Sequence, residues 1–205
     1  DLAQKTPTIA NVFNQAVRQG EQHMRELVES RLSEVRTYCK AHGLDRIVWS
    51  NEGIFNSPRV MGPALQNVSE DFDCRLIVYL RRQDRWFVSA YKQWGLIHKT
   101  NAGPAQEFED WYDRFKLHGN YADQLQRWEQ FLPKENFDVR LYEKCGNVVE
   151  DLLGGVVGFP TERLDTTNLQ SNQTPEDAIL ALFKIYNSQV DNALYPQELV
   201  RLLDG

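Results

Sequence analysis

The stretch "RLIVYLRRQDRWFVSAY", residues 75–91, decides how the rest of the chain is read. Its first six residues form an apolar run too short for a helix and too apolar for a sheet with one wet face, which predicts a buried strand. Helical spacing follows, so residues 75–94 read as a strand, a tight polar turn and a helix. In parallel α/β folds ligands are held at this junction, beyond the carboxyl end of a strand. Arg81 closes the strand, and Ser89 lies eight positions later on the helix. A guanidinium can grip two phosphate oxygens bidentately while a hydroxyl donates a third bond, so the pair predicts an anion site.

That site has to be local, because the chain as a whole is acidic, with a formal net charge of -6. Such a balance argues against a protein that coats nucleic acid or an anionic membrane. The length of 205 residues fits one domain, 1–205, that buries about 70% of its extended surface. Cys39, Cys74 and Cys145 show neither C-x-x-C spacing nor the density of a disulfide scaffold, which favours reduced thiols. Four scattered histidines give no metal-ligand pattern. No apolar run approaches eighteen residues and the first twenty lack a signal-peptide core, so a cytoplasmic protein with no membrane segment is expected. The chain opens on Asp1 rather than Met, and the native protein is expected to be longer or rebuilt at its start.

Working outward, "QHMRELVESRLSEVRTYCKAHG" puts Met24, Leu27, Val28, Leu32, Val35, Tyr38 and Cys39 on one helical stripe that Gly43 stops. "DRIVWS", residues 45–50, reads as a strand delivering Glu52 just past its end. Pro58, Gly62 and Pro63 predict a loop with at most a short helix. Two helices are predicted within 101–115, after an opening turn, and 120–132, then a strand at "FDVRLYEK" and a short helix ended by Gly154 and Gly155. The last helix starts with Thr174 and Pro175 and buries Ile179, Leu182, Phe183 and Tyr186. Three strands separated by helical segments predict an α/β class: a mostly parallel sheet flanked by helices.

The segment "RLIVYLRRQDRWFVSAYKQ" resembles the part of sulfotransferases dependent on 3'-phosphoadenosine 5'-phosphosulfate (PAPS) in which a strand-end arginine and a serine eight residues on hold the 3'-phosphate. Arg81 and Ser89 match that pair. Tyr142 and Glu143 are similar to the family's "YE" element, and "DRIVWSNEG" resembles a strand of bacterial carbohydrate-sulfotransferase relatives. The resemblance covers about residues 22–187. It implies a P-loop NTPase-like fold, PAPS as cofactor with adenosine 3',5'-bisphosphate as product, no metal, and sulfuryl transfer to a hydroxyl of a small molecule or glycan.

In that scheme Glu52 is the general base, with His98 as its substitute, and Lys99 and Arg82 line an entrance. A helix-start carboxylate is the alternative role for Glu52. The departure lies at "QKTPTIANVF", where Lys5 and Thr8 follow the order of the family's "KxGTT" phosphate loop but Pro7 replaces its glycine. The expected fold is therefore lacking or altered at the N-terminal strand and loop. The alternative function is a nucleotide-binding or interaction module that keeps the fold without the chemistry.

Overall fold

In the computed structural model, residues 16, 18–69, 72–160, 162, 175–193 and 199 are described, and most of them are helical. In chain order the regular elements are α1 (Glu21–His42), α2 (Pro58–Val68), β1 (Leu76–Leu80), α3 (Gln83–Tyr91), α4 (Phe108–Phe115), α5 (Tyr121–Trp128), β2 (Phe137–Leu141), α6 (Val148–Glu150) and α7 (Asp177–Ser188). Wider π-helical turns continue α3 over Lys92–Ile97 and α6 over Asp151–Val156. The chain parts into two compact units, Asp1–Val78 with Asn120–Val139, and Tyr79–Gly119 with Arg140–Gly205.

The first unit is built on aliphatic burial. α1 ends where the sequence predicts, at Gly43, whose φ of 64° is the left-handed cap geometry that a residue without Cβ adopts freely. Its apolar stripe is buried only at Met24 and Val28; Tyr38 stays exposed and stacks on His42. The segment with Pro58, Gly62 and Pro63 is a full helix rather than a loop. Pro58 stands at its start, where a missing N–H costs nothing, and Met61, Ala64 and Val68 give it a buried face that outweighs the internal Pro63. Gly62 is there for space: a Cβ would fall 2.1 Å from Cδ2 of the Phe131 ring. Trp128 of α5 completes this core, fully buried, its indole N–H donating to the Phe55 carbonyl at 3.0 Å.

The second unit is built on rings and buried amides. Phe87 and Ala90 on α3 and Trp111 on α4 are buried together, with Tyr91, Phe108 and Phe115 around them. Trp111 stacks on Phe115 at 4.7 Å, and Phe87 meets Tyr112 edge-on at 4.8 Å, both favoured arrangements for aromatic quadrupoles. On α7 the buried residues are Leu180, Phe183 and Asn187, while Leu182 and Tyr186 are exposed, so the helix is rotated from the predicted face. Asn187 explains the rotation: its amide donates to the carbonyls of Leu96 and Ile97, fixing α7 to the π-helical turn. The helix starts at Asp177 with Glu176 at its cap; Pro175 precedes it and Thr174 lies outside the described residues.

These elements correct the expected fold class. A mostly parallel sheet flanked by helices requires several paired strands, whereas the sheet among the described residues is β1 with β2, two strands of five residues each. Residues 45–50, expected as a strand, belong to none, and Ile47, Val48 and Trp49 are exposed. An apolar run becomes a buried strand only when a neighbour takes its backbone hydrogen bonds and its faces are covered. No described strand pairs with this one. The resemblance to the PAPS-dependent, P-loop-like sulfotransferase family is overturned with the sheet on which it rested.

Candidate anion site

α3 emerges from β1 through Arg81 and Arg82, as the opening stretch predicts. The first amides of a helix point at any anion placed beyond its start. Here two of the unit's own carboxylates take part of that role. The Arg82 N–H donates to Glu143 Oε1 at 3.0 Å, and the Asp84 carboxylate accepts the Arg85 N–H. The flank of the helix is different. Arg81, Asp84, Arg85, Val88, Ser89 and Lys92 recur at the helical period and line one open groove of about 370 Å³.

Three of the four charged side chains that line the groove have a definable state of engagement. Arg81 lies over the face of Tyr142, 5.4 Å from the ring centre, and its Nε is buried without a hydrogen-bond partner among the described residues. Asp84 is held by the Arg82 guanidinium, Nε to Oδ1 at 3.2 Å and Nη2 to Oδ2 at 2.7 Å. The Arg85 N–H, and then Arg82, hold its carboxyl below the usual carboxylate range. Lys92 sits 3.4 Å from the exposed Asp177 carboxylate, a weak surface pair. The groove thus presents three cationic side chains and one hydroxyl against one carboxylate that already has its own counter-ion. Among the described residues, neither a carboxylate other than Asp84 nor a histidine lines it. Such a surface can hold a tetrahedral oxyanion, but it gives the Ser89 hydroxyl no base.

The sequence therefore brings Arg81 and Ser89 together, and the neighbours it missed are Arg85 and Lys92. Their signal was present: 85, 89 and 92 share one face of an α-helix, and Arg81 stands just before its start. Glu52 lies elsewhere, exposed on a turn of the first unit that Asn51 closes by accepting the Gly53 N–H at 2.7 Å. His98 ends the π-helical turn, half-buried against Trp94, and burial holds its imidazole below its ordinary pKa. Neither lines the groove. Lys99 is no entrance cation: it is buried, its ammonium donates to the carbonyls of Gly103 and Val190, and desolvation lowers its pKa. Lys5 and Thr8 lie outside the described residues.

A second polar cluster in the same unit centres on Asp151. Its Oδ2 accepts from Tyr79 Oη at 2.7 Å and from Arg140 Nη1 at 2.7 Å, with Cys145 Sγ at 3.7 Å. The Tyr79 bond, then the Arg140 guanidinium, hold the carboxyl below its ordinary range, while desolvation raises the Tyr79 phenol and the Cys145 thiol. A raised thiol pKa removes nucleophilic character, so the cluster is a tie between β1, β2 and the turn that follows α6.

The expected chemistry is corrected along with the fold. PAPS binding, sulfuryl transfer and a hydroxyl-bearing or glycan acceptor all depended on a phosphate loop set above a parallel sheet, and the described residues form no such sheet. No protein-family profile matches the chain. An uncharacterized protein of Archaeoglobus fulgidus is 32% identical over 84 residues, a match that covers 38% of this chain. The chain spans about a fifth of the length of that relative, 21%. No solved structure matches. Among the described residues no helix is long and apolar enough to cross a membrane.

Proposed function

We propose that this chain binds a phosphate- or sulfate-type oxyanion on the flank of α3, through Arg81, Arg85, Ser89 and Lys92. One observation carries the reading: a strand-end arginine and a serine eight residues on open into the same groove, with two further cations on the same helical stripe, in a chain of net charge -6. Arg81 is the principal ligand, since its guanidinium lies over the Tyr142 ring and lines the groove. Ser89 adds one neutral donor. Glu143 and Asp84 occupy amides at the start of α3, which favours an anion along the flank over one at the helix end. Cys39, Cys74 and Cys145 are free thiols, which supports a reducing, cytoplasmic setting for this binding.

Calorimetric titration with sodium sulfate and with monomethyl phosphate at low ionic strength tests the site. A hydrogen bond to a charged group is worth about 1.5 to 3 kcal/mol, so Arg81→Ala should weaken both ligands roughly 10- to 100-fold with little change in thermal midpoint. Unchanged affinity in a folded Arg81→Ala variant would sink the proposal.

A further inference from the structure

The carboxylate in the groove is the feature that a simple anion site does not explain. Asp84 stands among Arg81, Arg85 and Lys92, where a free carboxylate would repel the ligand the other side chains attract. Both of its oxygens are nevertheless engaged, Oδ1 by Arg82 Nε and Oδ2 by Arg82 Nη2, and it also accepts the Arg85 N–H. Arg82 is not among the residues lining the groove. Its own N–H is anchored to Glu143, which fixes the backbone from which the fork reaches Asp84.

Resting on the anion-site reading above, we infer that Arg82 is a positioning residue that masks Asp84, leaves mainly donors among the described side chains of the groove, and so selects fully deprotonated oxyanions such as sulfate or a phosphate dianion. The chemistry follows from counting acceptors. A phosphate monoester that still carries its proton has an O–H donor and needs an acceptor to satisfy it. With Asp84 already accepting from Arg82 and the Arg85 N–H, the lining side chain among the described residues that offers that proton an acceptor outside an ion pair is Ser89. A sulfate ester carries no proton and loses nothing. Removing Arg82 would free the Asp84 oxygens, which would repel a fully ionised ligand but accept the proton of a monoanionic phosphate.

A double-mutant cycle over Arg82 and Asp84 reads this directly, with methyl sulfate and monomethyl phosphate as probes at pH 5.5, below the second phosphate pKa of about 6. Arg82→Ala should weaken methyl sulfate about threefold in the native background, the scale of one exposed charge several ångströms away, and leave it nearly unchanged when Asp84→Asn is present. The ratio of phosphate to sulfate affinity should rise about threefold in Arg82→Ala alone, a shift that general damage to the helix would not produce. An equal loss in both backgrounds, with no change of ratio, would overturn the masking role and assign Arg82 a plain long-range charge effect. If Arg81→Ala leaves binding intact, or the native chain binds neither probe, the anion site itself fails and the masking role with it.

Discussion

Among the largest fully buried side chains, those of the first unit are Trp128, Met24, Met61 and Val28, whereas those of the second are Trp111, Lys99 and Asn187. The first group is stabilised by leaving water and by contact, forces without direction that tolerate a shift of a few tenths of an ångström. The second includes an ammonium and a carboxamide, which are stable inside only when specific carbonyls meet them. Leu96 and Ile97 in the turn that extends α3, Gly103 in the loop beyond it and Val190 just after α7 supply those carbonyls. The difference teaches where geometry is enforced: the unit that carries the groove is also the one whose interior fixes the helix by directed bonds.

The largest effect should come from the undirected core. Trp128 is fully buried, and replacing it with alanine should cost about 3 to 5 kcal/mol, the range for aromatic truncation in a core. Urea denaturation would measure it. Trp128→Phe should cost far less, since most of the apolar area remains and only the bond to Phe55 O is lost. If the two variants were equally damaging, the hydrogen bond rather than burial would hold the first unit, and the contrast between the units would collapse.

Asn187→Leu probes the other side of the comparison. It keeps an apolar volume in place but leaves the Leu96 carbonyl without its bond, at about 1 to 3 kcal/mol; deletion of the buried and unpartnered Asn187 Oδ1 offsets part of the loss. The sharper readout is anion binding, because the turn that Asn187 holds continues the groove helix at Lys92. Sulfate affinity should fall even where stability is restored by lower temperature. An unaltered affinity would mean that the turn does not set the groove.

How much of this was legible in the residues depends on the kind of force. β1, β2, the helices α1, α4 and α5 and the Gly43 stop follow from local pattern, and all are present. The flank of α3 was legible in part: Arg85, Ser89 and Lys92 follow helical spacing, whereas Arg81 reaches the groove from the turn that precedes the helix. Residues 45–50 were misread since an apolar run of β-formers looks the same whether or not a partner strand exists, and pairing is a long-range fact. α2 was misread for the opposite reason: its buried face of Met61, Ala64 and Val68 is covered by residues far along the chain, Trp128 and Leu132 among them, with the Phe131 ring above Gly62. The face of α7 could not be read from its apolar residues because an asparagine, Asn187, decides it.

A smaller effect is expected at the Asp151 cluster, and its sign is set by pH. The folded carboxyl lies below its ordinary range, so it contributes stability at pH values above the unfolded carboxylate pKa, and that contribution is lost as pH falls through the depressed folded value. Tyr79 donates the bond that is the main cause of the depression. Tyr79→Phe should therefore raise the Asp151 pKa toward its ordinary value and start the acid loss of structure at higher pH. Carbon-detected carboxyl titration would follow the residue itself. A pKa that stays put would shift the credit to Arg140, whose Nη1 lies 2.7 Å from the same oxygen.

The smallest effect on folding is expected at Ser89, where the comparison between interior and groove is cleanest. Its side chain lines the groove on an exposed helical flank, and alanine is the better helix former, so Ser89→Ala should change stability by no more than about 0.5 kcal/mol in either direction. Binding should nevertheless suffer, since one neutral donor is worth about 0.5 to 1.5 kcal/mol, roughly a two- to tenfold loss for sulfate. Ser89→Thr keeps the hydroxyl and should recover most of that loss, provided the added methyl fits beside Val88 and Lys92. A variant set in which stability is flat while affinity tracks the hydroxyl would separate the two faces of α3: Phe87 and Ala90 hold the fold, and Arg81, Arg85, Ser89 and Lys92 hold the ligand. Affinity that ignores the hydroxyl would leave the arginines and lysine as a diffuse cationic surface, and the loss in Arg81→Ala would then fade as salt is raised toward 1 M, where charges are screened beyond about 3 Å.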